Sequence, residues 1–203
     1  SMEGRNAELT VLFSDIRGFT SISEGLEPKQ LTQLMNDYLG AMTAVIQDQR
    51  GTLDKYIGDA IMAFWGAPVD DPEHARHAVA AALRMHAALA DLNRSLMARG
   101  WPELKIGVGL NTGPMTVGDM GSPVRKAYTV MGDAVNLARI TDGLQVQLAA
   151  GFPAGRLDGG LQLGRLAMTR APVEDDEKGR GSGRHRRRLV GLRARRTVGV
   201  GNW

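Results

Sequence analysis

Two aspartates stand where a chain can carry out metal-assisted phosphate chemistry. Asp15 lies in Phe13-Ser14-Asp15-Ile16-Arg17-Gly18-Phe19-Thr20, and Asp59 in Lys55-Tyr56-Ile57-Gly58-Asp59-Ala60. Each follows a short apolar run and falls where a strand should end. Carboxylates at adjacent strand ends can share divalent cations, which bridge to phosphate oxygens. The segment after Asp15 opens a helix, whose first N–H groups can cradle phosphate, and Gly18 lets the chain come close. Asp15 alone could be a helix cap. Paired with Asp59 it reads as a metal ligand, and the surroundings read as nucleoside triphosphate chemistry.

Lys55 precedes Asp59 by four positions, so strand alternation puts both on one face. Its ammonium could meet a ring nitrogen or carbonyl of a base, or it could simply occupy a solvated edge. Thr129 is a small donor and acceptor in a later strand. Asn136 follows Gly132-Asp133 on a helix, where an amide can orient a ribose hydroxyl or a phosphate oxygen. Arg139, a turn further on, could meet the charge that develops on a transferring phosphoryl group. His74 and His77 are three apart, but nothing completes a metal set around them. With His86 they read as structural.

The elements that must position these residues follow from periodicity. Leu9 to Ser14 suits a buried strand by length. Thr20 or Ser21 offers an N-cap for a short helix to about Gly25. Pro28 opens a longer helix with Leu31, Leu34, Met35, Tyr38, Leu39, Met42, Val45 and Ile46 on one stripe, stopped by Gly51. Thr52–Ile57 and Ala60–Trp65 form a hairpin with Asp59 at its bend. Asp70-Asp71-Pro72-Glu73 begins a helix ending at Gly100. Strands are expected from Lys105 to Val117 and from Ala127 to Met131, then a helix from Gly132 to about Ile140. This is an α+β sandwich, helices covering a mostly antiparallel sheet.

The chain has 203 residues, 43% of them hydrophobic and 23% charged, enough for one domain with a real core. It has no cysteine, which excludes disulfides and thiolate metal sites. No apolar run approaches the roughly 20 residues of a membrane span. These features set the expectation of a cytoplasmic domain whose parent could be membrane-anchored. Ser1-Met2 reads as an expression scar, with residues 1–7 a scar and linker. Net charge is +3, concentrated in Arg184-His185-Arg186-Arg187-Arg188 and Arg193-Ala194-Arg195-Arg196. No aromatic platform accompanies these arginines, so a solvated tail is expected and no nucleic-acid partner.

Four motifs resemble the catalytic domain of class III adenylyl and guanylyl cyclases: FSDIRGFT at 13–20, DKYIGD at 54–59, GVGLNTGPMTVG at 107–118 and YTVMGDAVNLA at 128–138. They stand in family order and spacing. The resemblance implies a palm-like, ferredoxin-related βαββαβ core and a head-to-tail homodimer with shared active sites. It implies ATP as substrate, and two Mg²⁺ or Mn²⁺ ions per site held by Asp15, Asp59 and the Ile16 main chain. The phosphate-contacting loop corresponds to Ile16, Gly18, Phe19 and Thr20. Lys55 matches the base-selecting position in its adenylyl form. Thr129 matches its partner position, threonine in one bacterial subgroup. Asn136 matches the ribose-orienting asparagine.

In the family the arginine follows that asparagine by four positions, whereas Arg139 follows Asn136 by three. One residue turns a helical side chain by about 100°. The family's triphosphate-binding lysine segment has no counterpart here; Lys178 is the nearest candidate. Past about Ile140 glycine, alanine and arginine dominate and apolar periodicity fades. The expected division is therefore a catalytic domain at 8–143, C-terminally incomplete, and an atypical, disordered or non-native tail at 144–203. The expected function is cyclic AMP synthesis, with an upstream sensor or regulatory domain outside this chain. The alternatives are an impaired nucleotide-binding and dimerisation module, or a guanylate cyclase.

The abrupt change in mid-helix leads us to expect a shift of reading frame near codon 138, against a divergent tail. Resequencing the gene should reveal a family-like C-terminal segment in another frame; its absence from every frame contradicts the expectation.

Overall fold

The computed structural model describes residues 4–138 and the backbone of two later strands, 144–148 and 167–170. The order is β1 (Arg5–Ile16), α1 (Phe19–Glu24), α2 (Pro28–Asp48), β2 (Thr52–Ile57), β3 (Ala60–Trp65), α3 (His74–Ala98), β4 (Ile106–Ser122), β5 (Arg125–Met131), α4 (Asp133–Leu137), β6 (Leu144–Leu148) and β7 (Ala167–Arg170). The sheet runs β2-β3-β1-β4-β6-β7, with β5 paired to β4 off this path. Pairing is antiparallel among β1 to β5, while β6 and β7 add in parallel. The expected α+β sandwich is borne out.

Alternation along the central strands splits the core in two. Leu12 and Ile16 of β1, with Ile61, Ala63 and Trp65 of β3, pack on α2 and α3 through Leu34, Tyr38, Met42, Ile46, Met85 and Leu89. Leu9, Val11, Met62 and Phe64 face the other way, onto Met115, Val117, Val130, Ala134 and Val135. Residues one apart on a strand point to opposite faces, so one β1 serves both layers. The helices α2 and α3 cover one face; β5 and α4 cover the other.

Several boundaries differ from those expected. The short helix is capped by Gly18, in the left-handed region at φ 65°, and not by Thr20 or Ser21. A turn that needs positive φ overrides the hydroxyl preference at that position. The third helix starts at His74; Asp71 accepts from the Glu73 N–H at 3.0 Å and contacts His77 Nδ1 at 2.6 Å. Burial alone would raise the Asp71 carboxyl, but these two bonds prevail and hold it below its ordinary value. The sheet also continues past residue 143, where the catalytic domain is expected to end. Leu144-Gln145-Val146-Gln147-Leu148 alternates apolar and polar residues and pairs with Val108–Asn111. Residues 139–143, 149–166 and 171–203, with the arginine clusters and Lys178, lie outside the described residues.

Asn93 clamps the chain where α3 hands over to β4. Its amide donates to the Leu104 carbonyl at 2.8 Å and accepts from the Leu104 N–H at 2.9 Å, all buried. Asn93→Ala strands both main-chain groups and should cost about 2–4 kcal/mol, read as a lower urea midpoint at unchanged m-value.

Burial holds the His86 and His74 imidazoles below the ordinary histidine value; nearby Glu8 and Asp71 oppose this at His74. A histidine more acidic when folded binds fewer protons folded than unfolded. Stability is then complete above the unfolded value of about 6.5 and falls as pH drops through it. The urea midpoint should decline between about pH 7.5 and 5.5, and His86→Leu should flatten part of that decline.

Candidate active site

The end of β1 and the β2–β3 turn meet at one point. Sequence supplies this: β1 runs antiparallel to β3, pairing Ser14 with Ile61, so the next residues of β1 lie beside the turn. Gly58 takes φ 62° there, which a glycine provides freely and which lets the chain reverse in two residues. The Ile16 N–H donates to Asp59 Oδ2 at 2.9 Å. Asp15 and Asp59 then line one open cleft of about 460 Å³ with Ile16, Arg17, Gly18, Phe19, Thr20 and Ala60.

Asp15 Oδ1 is buried without a hydrogen-bond partner, and lies 3.7 Å from an Arg17 guanidinium nitrogen. Gly107 makes room for that guanidinium, since a Cβ there would fall 2.1 Å from it. Beneath the cleft sits Tyr38, wholly buried. Burial pushes its phenol far above its ordinary value; the Ser14 hydroxyl opposes this, and the charges of Asp59 and Asp15 add to it.

The donors fit a hard divalent cation. Two carboxylates and a main-chain carbonyl are oxygen ligands, the set Mg²⁺ and Mn²⁺ take when phosphates and water complete the shell. The orphaned Asp15 oxygen is free to join such a shell. No group of three or more His, Asp or Glu side chains placed for a metal occurs among the described residues. His74 and His77, considered as a pair, are separated in role: His74 Nδ1 bonds Thr10 at 2.7 Å, and His77 serves Asp71.

Lys55 and Thr129 meet elsewhere, through a residue that the sequence reading missed. Thr129 Oγ1 donates to Asp54 Oδ2 at 2.5 Å, and Lys55 Nζ lies 3.4 Å from Asp54 Oδ1. The expected alternation from Lys55 to Asp59 does not apply, because β2 ends at Ile57 and Asp59 belongs to the turn. Asn136 projects exposed from α4, whose flanking Ala134 and Val135 are buried. Asn111 ties α4 to β4 through the Ala134 carbonyl at 2.6 Å. None of Lys55, Thr129 and Asn136 lines the aspartate cleft. Arg139 lies outside the described residues.

Residues 2–148 match the family described as Adenylate and Guanylate cyclase catalytic domain. The chain belongs to this family. The match runs on past Ala138, where the frame break is expected. An adenylate cyclase of Anabaena cylindrica is 41% identical over 143 residues, covering 68% of this chain and 28% of the relative. The chain thus spans under a third of the curated cyclases it matches. Among solved structures, the adenylyl cyclase CyaB from P. aeruginosa is 42% identical with a TM-score of 0.65, over 67% of this chain and 71% of that one. The guanylyl cyclase Cya2 is 41% identical with a TM-score of 0.64, over 66% and 68%. Likeness to cyclases of both kinds shows the palm-like fold and leaves the choice of base to particular side chains.

Proposed function

We propose that this chain is an adenylyl cyclase catalytic domain that converts ATP to 3′,5′-cyclic AMP and pyrophosphate at a homodimer interface. The observation that carries it is the cleft where Asp15 and Asp59 converge beside the Gly18-capped start of α1. Asp15, Asp59 and the Ile16 carbonyl would hold two Mg²⁺ or Mn²⁺ ions. When bound, such ions supply Lewis acidity to the ribose 3′-hydroxyl and the phosphoryl oxygens. Ile16, Gly18, Phe19 and Thr20 form the wall against which the triphosphate lies, with main-chain N–H groups as donors. Lys55 and Thr129 meet the base, Thr129 as in the threonine-type subgroup, and Asn136 orients the ribose. The 3′-oxygen forms its bond to the α-phosphorus as its proton passes to solvent, and the bond from that phosphorus to the α,β-bridging oxygen breaks, releasing pyrophosphate.

Separation of the two groups of residues supports the dimer. Ile57, Met131 and Leu137 are 54%, 59% and 53% exposed, on the elements that carry Lys55, Thr129 and Asn136. Apolar exposure of that kind suits an interface with a second copy, which would bring its base-binding half to the first copy's aspartates. A cytoplasmic location and a sensory or regulatory domain in the longer parent belong to the same proposal. No helix among the described residues is long and apolar enough to cross a membrane.

The competing reading is a nucleotide-binding, dimerising module with impaired turnover, which the early placement of Arg139 favours. One assay decides between them, using the full chain with Mn²⁺ and either ATP or GTP. Cyclic AMP should form from ATP at least about tenfold faster than cyclic GMP forms from GTP, and Asp59→Ala should reduce it about 100-fold or more. Binding of ATP without product favours the module; preference for GTP makes the domain a guanylyl cyclase.

A further inference from the structure

A β-bulge in β2 sets two neighbouring side chains on one face. Leu53 pairs with Ala63 and Lys55 with Met62, which leaves Asp54 as the extra residue. In a regular strand Asp54 and Lys55 would point to opposite faces. A bulge re-aims a side chain locally, and bulges recur beside active sites. Here the Asp54 carboxylate touches both candidate base-binding groups, Lys55 with Oδ1 and Thr129 with Oδ2. The Asp54 side chain is wholly buried, whereas that of Lys55 is 47% exposed. A carboxylate fully out of water is costly to keep, so its position asks for a role.

The role follows from the inventory of protons. A threonine hydroxyl has one proton and two lone pairs, and alone can serve an amino group or a carbonyl equally. An ionised carboxylate only accepts. With its proton committed to Asp54, Thr129 Oγ1 offers outward only lone pairs. Lys55 offers only donors. The pair therefore presents one acceptor and one donor. Adenine carries a donor at C6, its amino group, and an acceptor at N1. Guanine carries the reverse, an acceptor O6 and a donor N1–H. The same two positions cannot satisfy both rings in one orientation.

We propose that Asp54 is a positioning residue that fixes Thr129 as an acceptor and so sets the preference for a 6-aminopurine over a 6-oxopurine nucleotide. This rests on the reading above that Lys55 and Thr129 meet the base. Asp54→Asn is nearly isosteric but brings an amide donor, which can face Thr129 Oγ1 and free the hydroxyl proton for a carbonyl.

The test measures dissociation constants of α,β-methylene ATP and α,β-methylene GTP on the full chain with Mn²⁺, so that turnover plays no part. The unsubstituted chain should prefer the ATP analogue, and Asp54→Asn should shrink that preference about tenfold at an unchanged melting temperature. An unchanged ratio, with both analogues weakened alike, overturns the inference. Lys55→Glu separates this from failure of the underlying reading. If Lys55→Glu shifts the ratio and Asp54→Asn does not, the base site stands and the role of Asp54 falls. If neither shifts it, or the unsubstituted chain binds neither analogue, the base site itself is wrong and the inference goes with it. Should Asp54→Asn fail to fold, Thr129→Val carries the test: loss of the preference supports the acceptor role, and an unchanged ratio overturns it.

Discussion

The Ile16 N–H to Asp59 hydrogen bond is the constraint on which the site depends. It joins the end of β1 to the β2–β3 turn and directs two carboxylates into one cleft. Two acidic side chains lining one cleft repel each other. A structure tolerates that where a cation repays it. The rest of the fold serves the constraint: β3 sets the register that brings the turn alongside β1, and α2 and α3 cover one face of the sheet, with Tyr38 of α2 in the core between them.

The second group of residues obeys a different logic. Lys55 and Thr129 are distant in sequence and come together because β5 folds over the face of the sheet that carries Met62 and Phe64. Their junction is a buried carboxylate placed by a bulge. The aspartates and the Lys55–Asp54–Thr129 group do not share a cleft; under the proposed function they would be the phosphate-side and base-side halves of the site. The proposed head-to-tail pair would bring the two halves together and would tie turnover to assembly.

Much of this was legible in the chain. The hairpin with Asp59 at its bend, the long helix opened by Pro28 and the strand ending at Asp15 follow from length, periodicity and turn chemistry, and they suffice to join the two aspartates. Gly18 as the cap was hidden because hydroxyl residues two and three positions later suit that role by type, while a left-handed turn is a demand of geometry. Asp54 was hidden for a related reason. Alternation assigns it to the face opposite Lys55, and a bulge leaves no mark in residue types alone. The strand at Leu144–Leu148 shows the converse: its apolar–polar alternation is plain, but it spans only five residues and is followed by glycine- and arginine-rich chain without such periodicity. Asn136 was placed correctly on its helix, yet only the fold shows it exposed and apart from the aspartates.

Everything in this account turns on whether one cation feels both acidic side chains. Crystals of the full chain grown with Mn²⁺ and α,β-methylene ATP would show it through the anomalous signal of manganese. The account predicts a peak about 2.0–2.3 Å from carboxylate oxygens of both Asp15 and Asp59, with triphosphate oxygens completing the shell. Manganese bound by one of them alone, or at some other place on the molecule, would contradict it.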